Sequence, residues 1–347
     1  MIAPQVSICL PLYNGERYLQ ECLDSVTGQT FGDVEIILID DGSTDGTLDI
    51  AERFARLDSR VRLLRNTANL GLVGNWNRCL DVARGTWIKY VFQDDVLDPA
   101  CIAALYEAAH GDALLVACER SFLFEDGTAS ATRDSYERHA KQIHALFAGG
   151  HLSAEALQRF AIEQFCVNPL GEPTSVMVHT RAFERFGRFN PDFVSLCDLE
   201  FWLRVGVNSG ATVVPRSLAS FRVHGAATSA INLAERLYRN TTLDPLLLLH
   251  EYLHAPHFAG VRSMAGRMGS PLAARFRNRK HWARATAEWA RAASHGRSSQ
   301  SNDLRQIART YPALRTGHVE HMLWRASLRL RGRGAPVPES LLDTPSR

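Results

Sequence analysis

The run VEIILI at residues 34–39 constrains the fold of this chain more than any other segment. Apart from Glu35 it is apolar, and all but Leu38 of those apolar residues are β-branched, the pattern of a strand buried on both faces of a sheet. Its surroundings repeat the theme. Residues 6–10 form a short apolar run ending at Pro11, and residues 61–64, 87–92 and 113–117 read as further strands. Between them lie helical stretches at residues 16–27, 44–57, 72–83 and 99–109. In the first of these, Tyr18, Leu19, Cys22, Leu23 and Val26 make one apolar stripe. The alternation predicts an α/β fold: a mostly parallel sheet flanked by helices. Ligands of such sheets bind at the carboxyl ends of the strands.

The middle of the chain is mixed, with a strand at residues 175–179, a helix at 198–207, and strands near 212–214 and 218–223. Beyond Asn232 the pattern is helical and basic. Residues 262–347 hold 17 Lys+Arg against 5 Asp+Glu, a net of +12, so the rest of this +2 chain carries −10. Residues 332–347 read as a frayed tail. A chain that is 46% hydrophobic with so small a net charge is not disordered throughout. No apolar run approaches the roughly 20 residues of a membrane-spanning helix. Residues 1–14 contain no basic residue, unlike a secretory signal. The seven cysteines form no CxxC pair. Together these features point to a reduced, cytoplasmic protein with buried thiols.

Two acidic pairs carry the chemistry. Asp40-Asp41 ends the second strand and Asp94-Asp95 the fourth, so a parallel sheet brings both to one edge. Four carboxylates there suit a divalent cation bridging to a substrate phosphate. The bland alternative is that each pair ends a strand in a turn or caps the next helix.

The flanking residues add to this. VSICLPLYNGERYL, VEIILIDDGSTDGT and NLGLVGNWNRCLDVARGTWIKYVFQDDVLDP, followed by GEPTSVMVHTRAFERFGRFNP, CDLEFWLRV and FRVHGAATS, resemble family 2 glycosyltransferases of the GT-A fold. The resemblance runs from about Val6 to Ser229. It implies a catalytic domain over residues 1–230 and leaves residues 231–347 as a helical, basic C-terminal extension.

Carried over residue by residue, the resemblance implies a nucleotide site at Pro11, Tyr13, Glu16, Asp41, Asn69, Arg78 and Asp94. Asp41 would read the base, and Arg78 would stand in for an Arg that relatives place where Trp76 precedes Asn77. Asp95 and His224 would hold Mn²⁺ or Mg²⁺, with Asp95 at a strand end outside the core. Asp198 would be the general base, and Glu172 and Trp202 would meet the acceptor. For Asp198, the N-cap of the following helix is the competing role, and Glu200 reads as a structural carboxylate.

The implied activity is inverting transfer of a sugar from a nucleoside-diphosphate donor of UDP or dTDP type to a hydroxyl of a glycan or lipid-linked glycan, in bacterial cell-surface polysaccharide synthesis. A Rossmann dehydrogenase is disfavoured because PLYNG, not G-x-G-x-x-G, follows the first strand. A nucleotidyltransferase lacks its Gly-rich basic loop. A non-catalytic nucleotide-sugar-binding subunit is disfavoured by the intact Asp41, Asp95 and Asp198. Arg275, Arg277, Arg279, Lys280 and Arg284, with Trp282 and Trp289, suit peripheral docking on anionic lipid or packing on a second subunit, as in a homodimer. No nucleic-acid-reading module is present.

Overall fold

The structure is a computed structural model that describes residues 3–227, 239, 243–269, 306–307 and 310–311. Its first half alternates strand and helix: β1 (Val6–Leu12), α1 (Glu16–Thr27), β2 (Val34–Asp40), α2 (Thr47–Leu57), β3 (Val61–Arg65), α3 (Gly71–Val82) and β4 (Trp87–Tyr90). Then come β5 (Val96–Leu97), α4 (Cys101–Glu107), β6 (Leu115–Phe124), α5 (Ser130–Phe147), β7 (His151–Leu152) and α6 (Ala154–Glu163). A 3₁₀ turn at Pro173–Ser175 leads into β8 (Val176–His179), α7 (Thr180–Phe186), α8 (Cys197–Ser209) and β9 (Ala211–Val223). The last helices described are α9 (Asp244–His254) and α10 (Ala259–Arg267).

The strands form one sheet in the order β3-β2-β1-β4-β8-β6-β9-β5, with β7 also on β9. β1 pairs in parallel with both β2 and β4, and β2 with β3. β8 is antiparallel to both β4 and β6. The strand expected to follow the fourth therefore sits one place further out, because β8 is inserted between them. The two short strands expected at residues 212–214 and 218–223 are one strand, β9, whose pairing with β6 shifts register around Glu119.

The VEIILI run is buried on both faces, as its composition predicts. Ile36 and Leu38 join Val6, Ile8 and Leu10 in a core closed by Leu19, Cys22, Leu23 and Val26 of α1 and by Cys101 and Ile102 of α4. Ile37 and Ile39 face the opposite core, with Trp76 of α3, Leu157 of α6 and Phe201 of α8. Leu246 to Leu249 of α9 and Val261 of α10 belong to that second core. The described start of the C-terminal extension thus packs on the α6–α8 side of the sheet. The basic cluster at Arg275, Arg277, Arg279, Lys280 and Arg284, with Trp282 and Trp289, lies outside the described residues. All seven cysteines are free thiols, six of them buried. Among the described residues no helix is long and apolar enough to cross a membrane.

A buried ion pair pins α8. The Arg204 guanidinium donates to both Glu200 oxygens, at 2.8 and 2.9 Å, and to the carbonyls of Phe186 and Arg188. Glu200 is thereby a structural carboxylate, as its sequence position suggested. Removing one partner of such a pair leaves an uncompensated buried charge and costs about 3–5 kcal/mol. Arg204→Met should therefore lower the unfolding free energy by about that amount in urea titration. A loss indistinguishable from zero would show that the pair is not desolvated.

Candidate active site

At the carboxyl edge of the sheet, the loops after β1 and β2 are laced together by side chains. Asn14, at φ 48°, accepts the Thr44 N–H at 2.8 Å through Oδ1, and its own N–H donates to Ser43 Oγ. Glu16 accepts the Gly46 N–H at 2.6 Å, which spends that carboxylate on the loop. Gln93 grips the same loop from the turn after β4. Its amide accepts the Tyr13 N–H and donates to the Tyr13 carbonyl, both at 2.9 Å. Gly15 leaves room for this, because a Cβ there would lie 2.3 Å from the Gln93 amide carbon. The Tyr13 side chain is left half-exposed above the edge, and Pro11 stays in β1 opposite Ile39.

Asp41 is almost fully buried. Oδ1 accepts Asn66 Nδ2 and the Leu70 N–H, each at 2.8 Å, and Oδ2 accepts the Gly71 N–H at 3.0 Å. Asn69 Nδ2 donates to the Asp41 carbonyl at 2.9 Å. The acid thus holds the start of α3, where a negative charge also meets the positive end of the helix.

The Asp94-Asp95 pair divides its labour. The Asp95 side chain is fully buried and accepts the Thr174 hydroxyl and, at 2.9 Å, the Arg222 N–H. Burial and the adjacent Asp94 push its pKa well above the usual carboxylate range. Asp94 turns the other way, with Oδ2 2.9 Å from His224 Nε2. His224 Nδ1 is buried and finds no hydrogen-bond partner among the described residues. A carboxylate oxygen and an imidazole nitrogen at a strand edge are a fitting donor pair for Mn²⁺ or Mg²⁺ that takes its remaining ligands from phosphate and water. Among the described residues no group of three or more potential ligands converges.

Residues 168–175 connect this edge to Asp198. Asn168 Nδ2 donates to Asp198 Oδ2 at 2.9 Å and to the Gly171 carbonyl at 3.0 Å. Glu172 pairs with the buried Arg120, and Thr174 reaches Asp95. Lys89, fully buried in β4, donates to the Thr174 carbonyl, and burial lowers its pKa. Asp198 lies in the first turn of α8 but does not cap it, because the N-cap is Leu196 and Asp198 Oδ1 takes only the neighbouring Leu199 N–H, at 2.7 Å. The backbone before the helix is held by Asp244, whose Oδ2 accepts the N–H groups of Val194, Ser195 and Leu196. Burial raises the Asp198 pKa to about 7; the Leu199 N–H works against the rise and the charge of Glu172 adds to it.

Comparison with known proteins matches residues 7–163 to the family described as Glycosyl transferase family 2. An uncharacterized protein of Mycobacterium tuberculosis, MT1568, is 34% identical over 65% of this chain and 69% of its own length. The putative glycosyltransferase EpsH of Bacillus subtilis is 34% identical over 43% of this chain, and the match spans 44% of EpsH. Among solved structures, S. aureus TarS 1-349 in complex with UDP-GlcNAc superposes with a TM-score of 0.57 at 17% identity, over 91% of this chain and 89% of that one. The mannosyltransferase PcManGT of Pyrobaculum calidifontis, in complex with GDP-Man and Mn²⁺, reaches 0.51 at 18% identity, over 93% and 85%.

The chain belongs to glycosyl transferase family 2. It is a glycosyltransferase, and its sheet is of the GT-A kind seen in TarS.

Three placements in this glycosyltransferase differ from the sequence reading. Asp95, expected at a strand end outside the core, is fully buried against the Thr174 hydroxyl and the Arg222 N–H, and Asp94 is the member of the pair that faces His224. Trp202, expected at the acceptor, is 1% exposed, and its indole N–H donates to the Gly171 carbonyl at 3.0 Å, so it supports the 168–172 loop from below. Arg78 lies about two turns along α3 from Gly71 and is directed to Asp81 at 3.5 Å. The place that relatives give to an Arg is filled by Trp76, which stacks on Phe92 with ring centres 5.0 Å apart. Asn168, Arg120, Arg222 and Asp244 escaped the sequence reading, as did the roles of Gln93 and Lys89. Of these, Lys89, Gln93 and Arg222 lie inside quoted motifs, and only these three carried a sequence signal.

The environment of Asp198 has a stability signature. Its folded pKa of about 7 lies above the roughly 3.9 of an unfolded-chain aspartate. Between those values the native state holds the extra proton, so stability falls as pH rises through that window. Asp198→Asn removes this dependence. Its melting temperature relative to wild type should rise from pH 4 to pH 7 and then level off; a pH-independent difference would mean that the wild-type carboxylate is not desolvated.

Proposed function

We propose that this glycosyltransferase transfers a sugar from a UDP- or dTDP-linked donor to a hydroxyl of a glycan or lipid-linked glycan, with inversion at the anomeric carbon. The observation that carries the reading is the 168–175 segment, which touches Asp198 through Asn168 and the Asp94-Asp95 turn through Thr174. One rigid piece of backbone thus spans a desolvated carboxylate and the edge suited to a diphosphate.

In this reading the acceptor oxygen attacks the anomeric carbon as the bond to the diphosphate oxygen breaks, and Asp198 takes the hydroxyl proton. A pKa near 7 matches a general base working near neutral pH. Asn168 aims the carboxylate. Asp94 and His224 would hold Mn²⁺ or Mg²⁺, which when bound neutralises charge on the leaving diphosphate. Asp41 Oδ2 accepts only the Gly71 N–H, so it retains a lone pair for a pyrimidine N–H. Tyr13 and Asn69 line the same loops, and Glu172 faces the acceptor side next to Asp198. The UDP-GlcNAc complex of TarS and the Mn²⁺ complex of PcManGT lend support to the donor class and the ion.

Asp198→Asn should bind Mn²⁺ and nucleotide sugar normally yet transfer sugar about 10²–10⁴-fold more slowly. The acidic limb of the wild-type kcat profile, centred near pH 7, should vanish in the residual rate. Near-normal transfer by this variant would remove Asp198 from the mechanism. Single-turnover assays with purified donor separate binding from chemistry.

For the basic extension, net +12 over residues 262–347, we propose docking on anionic lipid beside a lipid-linked acceptor. The full chain should float with anionic liposomes at low salt and a truncation after Gly269, which keeps α10, should not; equal flotation of the two would reject the docking.

A further inference from the structure

Arg222 makes four contacts at the acidic turn from a single position on β9. Its N–H donates to Asp95 Oδ1 at 2.9 Å and its Nε to the Asp94 carbonyl at 2.8 Å. Nη2 donates to Glu21 Oε2 of α1 at 2.5 Å. The guanidinium carbon lies over the Tyr18 ring, 4.4 Å from its centre. Tyr18 in turn meets the His224 ring edge to face, with centres 4.8 Å apart, and His224 returns to Asp94. The contacts close a circuit: Arg222, Asp94, His224, Tyr18 and back to Arg222.

Two physical points give the circuit a purpose. A histidine that binds a cation through one ring nitrogen ordinarily donates from the other to a carboxylate or carbonyl, which sets the ring's orientation. His224 Nδ1 is buried and has no such acceptor among the described residues, so once Nε2 turns from Asp94 to a cation, packing has to set the ring. Tyr18 is the ring packed against it. Arginine is also suited to this post, because its planar group can donate in plane while stacking through its face. With its side chain only 14% exposed, Arg222 holds these contacts with little competition from water.

We propose that Arg222 and Tyr18 are positioning residues that orient Asp94 and His224 as a cation-binding pair, the Tyr18 ring standing in for the missing hydrogen bond to His224 Nδ1. This rests on the reading of Asp94 and His224 given above. The competing role is plain stitching of β9 to α1, which would affect stability and nothing else.

Two readouts on the full chain separate these roles. The first is the His224 ring resonance in metal-free protein labelled with ¹³C-histidine, assigned through His224→Gln. Arg222→Met and Tyr18→Leu should each shift it, while Tyr18→Phe, which keeps the ring, should leave it in place. The second is the affinity for Mn²⁺ added together with UDP, measured by calorimetry. Loss of an outer support of a metal ligand weakens binding about 10–100-fold, and that loss is expected in Arg222→Met and Tyr18→Leu, with rescue in Tyr18→Phe. If Arg222→Met does not fold, Tyr18→Leu carries the Mn²⁺ readout alone, because loss of the Tyr18 ring current moves the His224 resonance whatever the ring's orientation. Lowered melting temperature with unchanged Mn²⁺ affinity, and with an unmoved His224 resonance in Arg222→Met where it folds, would overturn the positioning role. Unchanged Mn²⁺ affinity in Asp94→Asn would instead overturn the reading of the ion site itself, and the resonance of His224 in Arg222→Met would still report whether Arg222 orients the ring.

Discussion

β4 has two different neighbours, and the rest of the site depends on that constraint. On one side it runs parallel to β1, so that Asp94 emerges at the same edge as the loops after β1 and β2. On the other it runs antiparallel to β8, so that the chain entering β8 passes the carboxyl end of β4. That incoming chain is the 168–175 segment, with Asn168, Glu172 and Thr174. An all-parallel sheet would place the entry to this neighbouring strand at the opposite edge, away from the acids. The buried Lys89 ties the two strands together just below, by donating to the Thr174 carbonyl.

The electrostatics follow from burial. Carboxylates withdrawn from water need donors or cations, and each acid here has its own solution. Asp41 takes backbone N–H groups at a helix start, Asp95 a hydroxyl and a backbone N–H, and Glu200 a guanidinium. Asp95 and Asp198 both lack a neighbouring cation, and the pKa of each is raised. Asp198 is desolvated but has Asn168 and its neighbour's N–H in place of a cation, and so its pKa rises to about 7. The cation nearest in function, Arg120, is engaged by Glu172. A desolvated carboxylate without a cation at the end of a segment that also reaches the acidic turn is a candidate for chemistry.

Much of the fold was legible because hydrophobic periodicity is local. The stripe of α1 and the two-faced run of β2 needed only neighbours along the chain. The acids at strand ends were legible for the same reason, since strand direction alone carries Asp41 and Asp94 to one edge. What could not be read was which oxygen faces inward. Asp94 and Asp95 are adjacent and chemically identical, and the choice between them is made by Thr174 and the Arg222 N–H, from segments far along the chain. The burial of Trp202 and the direction of Arg78 could not be read for a related reason: an indole or a guanidinium in a motif carries no label for the side of the helix that packs.

The sequence by itself determined the alternation of strands and helices, the burial of β2 on both faces, the family, and the cluster of acids at one edge. Each of these depends on residues close together in the chain or on motifs in a set order. Only the tertiary structure decided the insertion of β8, the division of labour between Asp94 and Asp95, the support of Asp198 by Asn168, and the circuit through Arg222, Tyr18 and His224. These depend on contacts between residues up to 200 or so positions apart, and such contacts are set by how layers pack and not by any local preference.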